Sequence, residues 1–390
     1  MLSRRVLFAA LILALAALGP AQAQDVIQKQ VFEAGSYRTR GGAEIRSTRI
    51  GYQTMGQLNA AGDNAVLITH FFSGNSHAFG RLTAGGAPGY WDAIIGPGKA
   101  IDTDRFFVIS SDTLANLNVP DAQTVTTGPA TLNPDTGRPY GMSFPVVSMR
   151  DFVEVQKRLL DHLGVKRLQL VAGASMGALQ AMEWAAAYPE MVARVMPVIG
   201  HDMDPWLIAW MDVWEAPIRL DPNWNNGDYY GAGRQPPLRG LTEAFRIVSL
   251  HARDRQWAAS FGRGAAQGQD TARNVHDRFA IEKWLDDAAL ARARTSDANS
   301  FIYLTRASQL FLNEYATTEE AFRRSAAQWL VVPAPNDRVF PIEGVREMVG
   351  LLQRLGRPVS VAEVEGPLGH LNGLAHIAAV EARLRAFLAP

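Results

Sequence analysis

The chain reads as an α/β protein: a mostly parallel sheet with helices on both faces, interrupted by a largely helical insertion. Three observations predict this. Short apolar runs of strand length recur at 65–69, 106–110, 168–172, 192–199, 329–332 and 359–364. Helix-period stretches lie between several of them, at 149–163, 176–187, 342–355 and 375–388, and strands alternating with helices form parallel sheets covered on both faces. The alternation lapses from His201 to about Thr305, where tryptophans and tyrosines are frequent and Asp221-Pro222-Asn223-Trp224-Asn225-Asn226-Gly227-Asp228 has loop composition.

Composition narrows the class of partner. The 38 basic and 38 acidic residues cancel without a long run of either sign, so nothing attracts nucleic acid or an anionic membrane, and a small neutral or weakly charged molecule is expected. The absence of cysteine excludes disulfides, thiolate metal sites and a cysteine nucleophile; no metal or cofactor is expected. Residues 1–23 are of another kind: Arg4 and Arg5 precede an apolar stretch from Val6 to Leu18, and Ala21-Gln22-Ala23 closes it with small residues. That order predicts a cleaved secretory signal, a periplasmic or secreted protein, and no stable membrane insertion afterwards.

The remaining chain divides into a core, 24–200 and 306–390, and the insertion, 201–305. An insertion that follows a sheet strand emerges near the carboxyl ends of the strands, where open α/β sheets bind ligands, so it is placed to roof a pocket as a lid. Gly173-Ala174-Ser175-Met176-Gly177 stands where the run 168–172 gives way to the helix-period stretch 176–187. A G-x-S-x-G sequence at a strand-to-helix junction is a nucleophile elbow: the glycines permit a crowded turn that presents the serine hydroxyl at the top of the sheet. This is the junction expected of an α/β-hydrolase fold.

A serine hydroxyl is a weak nucleophile at neutral pH and needs a base, oriented in turn by an acid. Asp337 follows the run 329–332 and His370 follows the run 359–364, each in a loop at the same edge of the sheet as Ser175 and in the chain order Ser, Asp, His. His376 is the rival base, within a helix-like stretch. For the oxyanion, the backbone N–H of Met176 and that of Phe72, in the loop after 65–69, are the expected donors. Phe71, Trp206, Trp210 and Trp214, with the Phe72 side chain, are candidates to line an apolar or aromatic pocket; His70 is expected to be structural.

Further stretches resemble the homoserine O-acetyltransferase family: Asp63-Asn64-Ala65-Val66-Leu67, Tyr90-Trp91-Asp92-Ala93-Ile94-Ile95-Gly96-Pro97-Gly98-Lys99, Asp102 through Ile109, Ser175-Met176-Gly177 with Gln180, and Asp297-Ala298-Asn299-Ser300. The similarity runs from about Gly51 to the C-terminus. It implies an α/β-hydrolase fold, places Ser175, Asp337 and His370 at the triad positions and His70–Gly74 at the oxyanion loop, and implies a homodimer formed through the insertion. Four departures stand beside it. Leu371 follows His370 where acylating members carry an aspartate, Gly177-Ala178 replaces Gly-Gly, His-Phe-Phe-Ser-Gly replaces His-Ala-Leu-Thr-Gly, and Ser308-Gln309 stands where acidic residues are usual. Arg246 lies one residue from the place of a substrate-binding arginine.

Three functions are compatible with these residues: an exported serine hydrolase working through acyl-Ser175 on an ester or related acyl bond, a homoserine O-acetyltransferase-like acyltransferase using the same triad, and a binding protein on a hydrolase scaffold. A complete triad argues against the third. Export separates the first two, because acyl-CoA is a cytoplasmic donor. Protein recovered from a native-like host is therefore expected to begin near Gln24 or Asp25 by mass spectrometry, and intact leader on it would count against a cleaved signal.

Overall fold

Eight strands make the main sheet: β1 (Gln30–Arg38), β2 (Glu44–Met55), β3 (Ala65–Thr69), β4 (Phe107–Ser111), β5 (Leu168–Ala174), β6 (Arg194–Val198), β7 (Gln328–Val331) and β8 (Val359–Val361). The computed structural model describes residues 26–389, so the leader expected at 1–23 lies outside the described residues. The strand order is β1-β2-β4-β3-β5-β6-β7-β8. β1 and β2, and β2 and β4, pair antiparallel, whereas every neighbouring pair from β4 to β8 is parallel.

The parallel strands are continuous apolar runs because both faces are covered. In β3, Ala65 and Leu67 belong to one core while Val66 and Ile68 belong to the other; in β5, beyond a register shift after Leu168, Val171 belongs to the first and Leu170, Ala172 and Ala174 to the second. This is the period of a strand buried on two faces. The hairpin β1–β2 escapes the sequence reading for the complementary reason. As an edge it is half exposed, and its buried positions are separated by residues such as Arg46, Ser47 and Arg49, so no apolar run marks it.

Helix α1 (Met149–His162) starts in a reciprocal cap: the Ser148 hydroxyl accepts from Asp151 N–H, and Asp151 accepts from Ser148 N–H at 2.7 Å. Asp151 also accepts from the Tyr37 hydroxyl at 2.6 Å and from Arg40 N–H at 2.7 Å, so one carboxylate both caps the helix and ties the edge hairpin to it. Helix α2 (Met176–Ala187) is buried along nearly its whole length.

The insertion is helical, as its composition predicts: α3 (Pro205–Leu220), α4 (Leu238–His251), α5 (Arg255–Ala259), α6 (Ala280–Ala293) and α7 (Ala298–Gln309). α3 packs on α4 and α7, and α4 packs on α6. The expected boundary at 305 falls inside α7. The asparagine-rich loop forms a 3-10 turn, Pro222–Gly227, with Asn225 and Asn226 left-handed; Asn299 anchors it through the Trp224 indole at 2.9 Å and the Gly227 carbonyl at 2.8 Å. α8 (Thr318–Arg324) then leads into β7, and α9 (Ile342–Arg354) links β7 to β8. The helix expected over 375–388 is broken into α10 (Asn372–Ala375), a 3-10 turn and α11 (Glu381–Phe387). The break falls at His376, whose ring bonds the Glu365 carbonyl at 3.1 Å. Among the described residues no helix is long and apolar enough to cross a membrane.

A charged tie joins α1, α2 and the segment after α7 in the core. Glu183 of α2 accepts from Arg150 Nε at 2.8 Å and from Leu312 N–H at 3.0 Å, beyond the end of α7, while Arg150 also donates to the Tyr315 hydroxyl at 2.8 Å. Burial raises the Glu183 pKa, with Arg150 only partly opposing it. Removing one member of a buried pair strands the other charge, so Glu183→Ala is expected to lower the free energy of unfolding by about 3–5 kcal/mol, read as the shift of the urea midpoint. A loss below about 1 kcal/mol would show that Arg150 finds water instead.

Candidate active site

The turn from β5 into α2 is tight because β3 ends against it. A Cβ on Gly173 would collide with Thr69 Oγ1 and approach the Gly177 carbonyl carbon to 2.5 Å, and one on Gly177 would run into the Thr69 carbonyl oxygen. Only glycine fits either place. Between them Ser175 takes φ 58° and ψ −120°, a sparsely populated conformation for a residue with a Cβ. The turn is held by Ser175 N–H donating to the Val198 carbonyl at 2.9 Å and by the Thr69 hydroxyl donating to the Gly177 carbonyl at 2.8 Å. On its far side, a Cβ at Gly200 would lie 2.5 Å from Ala178 Cβ.

Asp337 and His370 arrive on the loops after β7 and β8. His370 Nε2 lies 2.9 Å from Ser175 Oγ, and His370 Nδ1 lies 2.7 Å from Asp337 Oδ2. The other carboxylate oxygen accepts from Val339 N–H at 2.8 Å and Phe340 N–H at 3.0 Å, which fixes the acid within its own turn. A carboxylate facing Nδ1 keeps the proton there and leaves the Nε2 lone pair toward the serine. The three side chains form one hydrogen-bonded relay. His376 stands apart from it, against the Glu365 and Gly366 backbone.

The loop after β3 is held from several directions. The buried His70 bonds through Nδ1 to the Phe71 carbonyl at 2.8 Å, and its Nε2 faces the Asn116 amide at 3.2 Å; burial lowers its pKa. A neutral ring donating through Nδ1 and accepting at Nε2 satisfies both contacts. The Asn116 amide also donates to the Gly74 carbonyl at 3.1 Å, Asn118 donates to the Ser73 and Gly74 carbonyls at 3.2 and 3.0 Å, and Gln180 donates to the His70 carbonyl at 3.1 Å. Neither Phe72 N–H nor Met176 N–H bonds to a protein acceptor among the described residues. The Met176 amide opens α2, where helix geometry supplies no acceptor.

The lid covers this region with aromatic rings. Phe72 meets Phe301 at 5.0 Å and Trp214 at 5.8 Å, and Phe301 meets Phe245 at 5.6 Å. Trp210 stacks on His251 at 4.0 Å. The other residues expected to line a pocket lie elsewhere. Phe71 packs edge-on against Tyr90 and covers Gly74. Trp206 is 60% exposed and touches Trp210 from outside. Arg246 pairs with Glu243 at 2.7 Å and Asp286 at 2.9 Å, so its charge is neutralised within the lid rather than offered to a substrate. Among the described residues no group of three or more histidine, aspartate or glutamate side chains is placed to hold a metal ion.

The family model for the alpha/beta hydrolase fold matches residues 85–372. The chain is 36% identical over 377 residues to the homoserine O-acetyltransferase of Desulfotalea psychrophila, covering 93% of this chain and 95% of that protein. It is 37% identical to that of Methanococcoides burtonii over 86% of this chain and 68% of that longer protein. The chain belongs to the homoserine O-acetyltransferase-like family of the α/β-hydrolase fold. Its fold is closely matched by solved structures. Esterase E22 superposes with a TM-score of 0.88 at 42% identity, covering 93% of this chain and 100% of the other, and the homoserine O-acetyltransferase from Bacillus anthracis does so with a TM-score of 0.88 at 34% identity, covering 94% and 98%.

His251, which the sequence reading passed over, links the lid to the acid. Its Nε2 faces the Arg338 carbonyl at 2.9 Å, next to Asp337, and its Nδ1 accepts from the Trp214 indole at 3.2 Å. Burial lowers its pKa to about 4, so the unfolded chain takes up this proton near pH 6.5 and the folded chain only near 4. Stability from this group is complete above pH 6.5 and is lost as pH falls from 6.5 to 4, on the order of 2–3 kcal/mol. His251→Gln is expected to flatten the fall in unfolding free energy across that window. An unchanged slope would show that His251 titrates in the folded protein as it does in water.

Proposed function

We propose that the chain is an exported serine hydrolase that cleaves an ester or related acyl bond through acyl-Ser175. The observation that carries this reading is the relay, with Ser175 Oγ 2.9 Å from a base that is itself 2.7 Å from a buried carboxylate. Ser175 Oγ attacks the carbonyl while His370 Nε2 takes its proton. The oxyanion is received by Phe72 and Met176 N–H, and His370 returns the proton to the leaving alcohol. Water, deprotonated by the same imidazole, then releases the acid. Asp337 keeps the ring in the required tautomer and stabilises its charged form.

Leu371 supports water rather than an amino alcohol as the acceptor, because an apolar side chain beside His370 offers no ion pair to an ammonium group. The aromatic surroundings of Phe72 and the likeness to esterase E22 point the same way. The second reading, acyl transfer from acetyl-CoA to homoserine, is favoured by the curated relatives. Both readings share the acyl-enzyme. The proposal extends to a homodimer paired through the lid, supported by the exposed Trp206, Ile208, Val213 and Leu220 of α3.

Initial rates on p-nitrophenyl esters, set beside thiol release from acetyl-CoA with homoserine, separate the two; thiol release that depends on homoserine, without ester turnover, would reverse their order. Ser175→Ala, Asp337→Asn and His370→Ala are each expected to lower kcat by roughly 10⁴-fold, about 5 kcal/mol of transition-state stabilisation, with the fold intact by circular dichroism. The three residues act as one unit, so the triple variant should be hardly worse than Ser175→Ala. An alkyl phosphonate should label the wild-type chain at Ser175. Near-normal turnover in Asp337→Asn, or loss in His376→Ala matching that of His370→Ala, would move the corresponding role to another residue.

A further inference from the structure

Residues 26–29, ahead of β1, run as a strap beside residues 80 and 81. Val26 bridges to Arg81, Ile27 N–H donates to the Arg81 carbonyl at 2.7 Å, and the buried Ile27 side chain fills the space that a Cβ on Gly80 would need. Two residues on, Lys29 reaches inward. Its Nζ lies 2.9 and 2.8 Å from the two oxygens of the Asp112 carboxylate and also donates to the Ser76 hydroxyl. The lysine side chain is 12% exposed and Asp112 is fully buried. A Cβ on Gly51 of β2 would collide with Lys29 Cε and lie 2.5 Å from Asp112 Oδ2, so the glycine leaves the slot that the ion pair fills. Among the described residues Asp112 pairs with no other cation.

Asp112 is tied to the loop that carries Phe72. Its Oδ1 accepts from Ser76 N–H at 2.7 Å and its Oδ2 accepts from Val125 N–H at 2.9 Å. Ser76 stands just beyond Gly74, where the oxyanion loop ends, and Asn75 between them donates to Thr124 Oγ1 at 3.2 Å. Asn116 and Asn118, which hold the Ser73 and Gly74 carbonyls, follow Asp112 in the same stretch of chain. One carboxylate thus anchors the far end of the oxyanion loop and the root of the segment that braces its middle. A buried carboxylate deprived of its cation must take up a proton or admit water. Either change surrenders bond geometry at Ser76 N–H.

We infer that Lys29 is a positioning residue for the oxyanion loop, acting through Asp112 and Ser76 on the amide of Phe72. This rests on the acyl-Ser175 reading above and deepens it, because it makes the strap at 26–29 part of the site. A buried ion pair adds little net stability over apolar side chains of the same volume; what Lys29 supplies is a fixed place for Asp112. A displaced Phe72 N–H weakens the bond to the developing oxyanion more than any bond to the ground-state carbonyl. The loss therefore falls on kcat rather than on KM.

Turnover and backbone exchange test this separately. Lys29→Met is expected to lower kcat for p-nitrophenyl acetate about ten-fold with KM changed by less than about two-fold, and Lys29→Arg to keep most of the rate, since a guanidinium retains charge and donors. Where the methionine chain folds poorly, Lys29→Gln takes its place. Leu384→Ala, which opens a cavity on the buried side of α11, should cost thermal stability and leave kcat unchanged. On the Ser175→Ala chain, adding Lys29→Met should speed hydrogen–deuterium exchange in residues 70–79 and 112–127 and leave 333–340 and 365–372 as they were. Unchanged exchange in 70–79, a rise spread evenly over all four segments, a loss borne by KM, or a rate loss reproduced by Leu384→Ala overturns the inference. Local loosening of 70–79 in a protein whose wild-type chain turns over no ester would leave the hold of Lys29 on the loop standing and sink the acyl-Ser175 reading. Ester turnover that Lys29→Met leaves unaltered would do the reverse.

Discussion

The contact between the end of β3 and the first turn of α2 is the constraint on which the rest of the site depends. Thr69 presses on Gly173 and Gly177, and that pressure sets the backbone of Ser175. The residue after Thr69 is His70, which begins the loop carrying Phe72. One close approach therefore positions the proposed nucleophile and both amides that would receive the oxyanion. The relative placement of donors and hydroxyl is built into adjoining backbones, and Asn116, Asn118 and Gln180 brace the part that would otherwise move. Interactions aimed at a developing charge are worth most when nothing must reorganise as it forms.

The acid and base reach this frame on longer loops, and the lid helps hold them. The Asp337 carboxylate is fixed by amides of its own turn, while His251 grips the next carbonyl from α4. On the opposite side, Asp297 at the start of α7 donates its N–H to the Leu117 carbonyl at 2.9 Å, between the two asparagines that support the oxyanion loop. Its carboxylate accepts from the Tyr229 hydroxyl at 2.6 Å and the Tyr230 hydroxyl at 2.9 Å. The insertion is thus fastened to both halves of the site by directional polar bonds.

Legibility in the sequence followed how local each physical requirement is. The elbow was readable because its glycines answer a steric demand between residues four apart, and Asp337 and His370 because strand ends in a parallel sheet converge on one edge. The edge hairpin was hidden by its half-exposed pattern. The lid resisted for a different reason: whether an arginine is spent in an ion pair depends on which carboxylates fold against it. Arg246 stood near a family position and is neutralised by Glu243 and Asp286, a pairing that no local pattern foretells. Trp206 looked like a lining residue on composition alone, yet faces outward on α3.

The contact behind the elbow has a consequence for how such a chain can vary. Ala178 occupies the space that a side chain at position 200 would need, since the two Cβ atoms would stand 2.5 Å apart. Position 200 is thereby locked to glycine for as long as 178 is alanine, and a lineage with glycine at 178 is released from that lock. The two sites, 22 residues apart in the chain, form a reciprocal sterically coupled pair in which the order of substitution matters: 178 must shrink before 200 can grow.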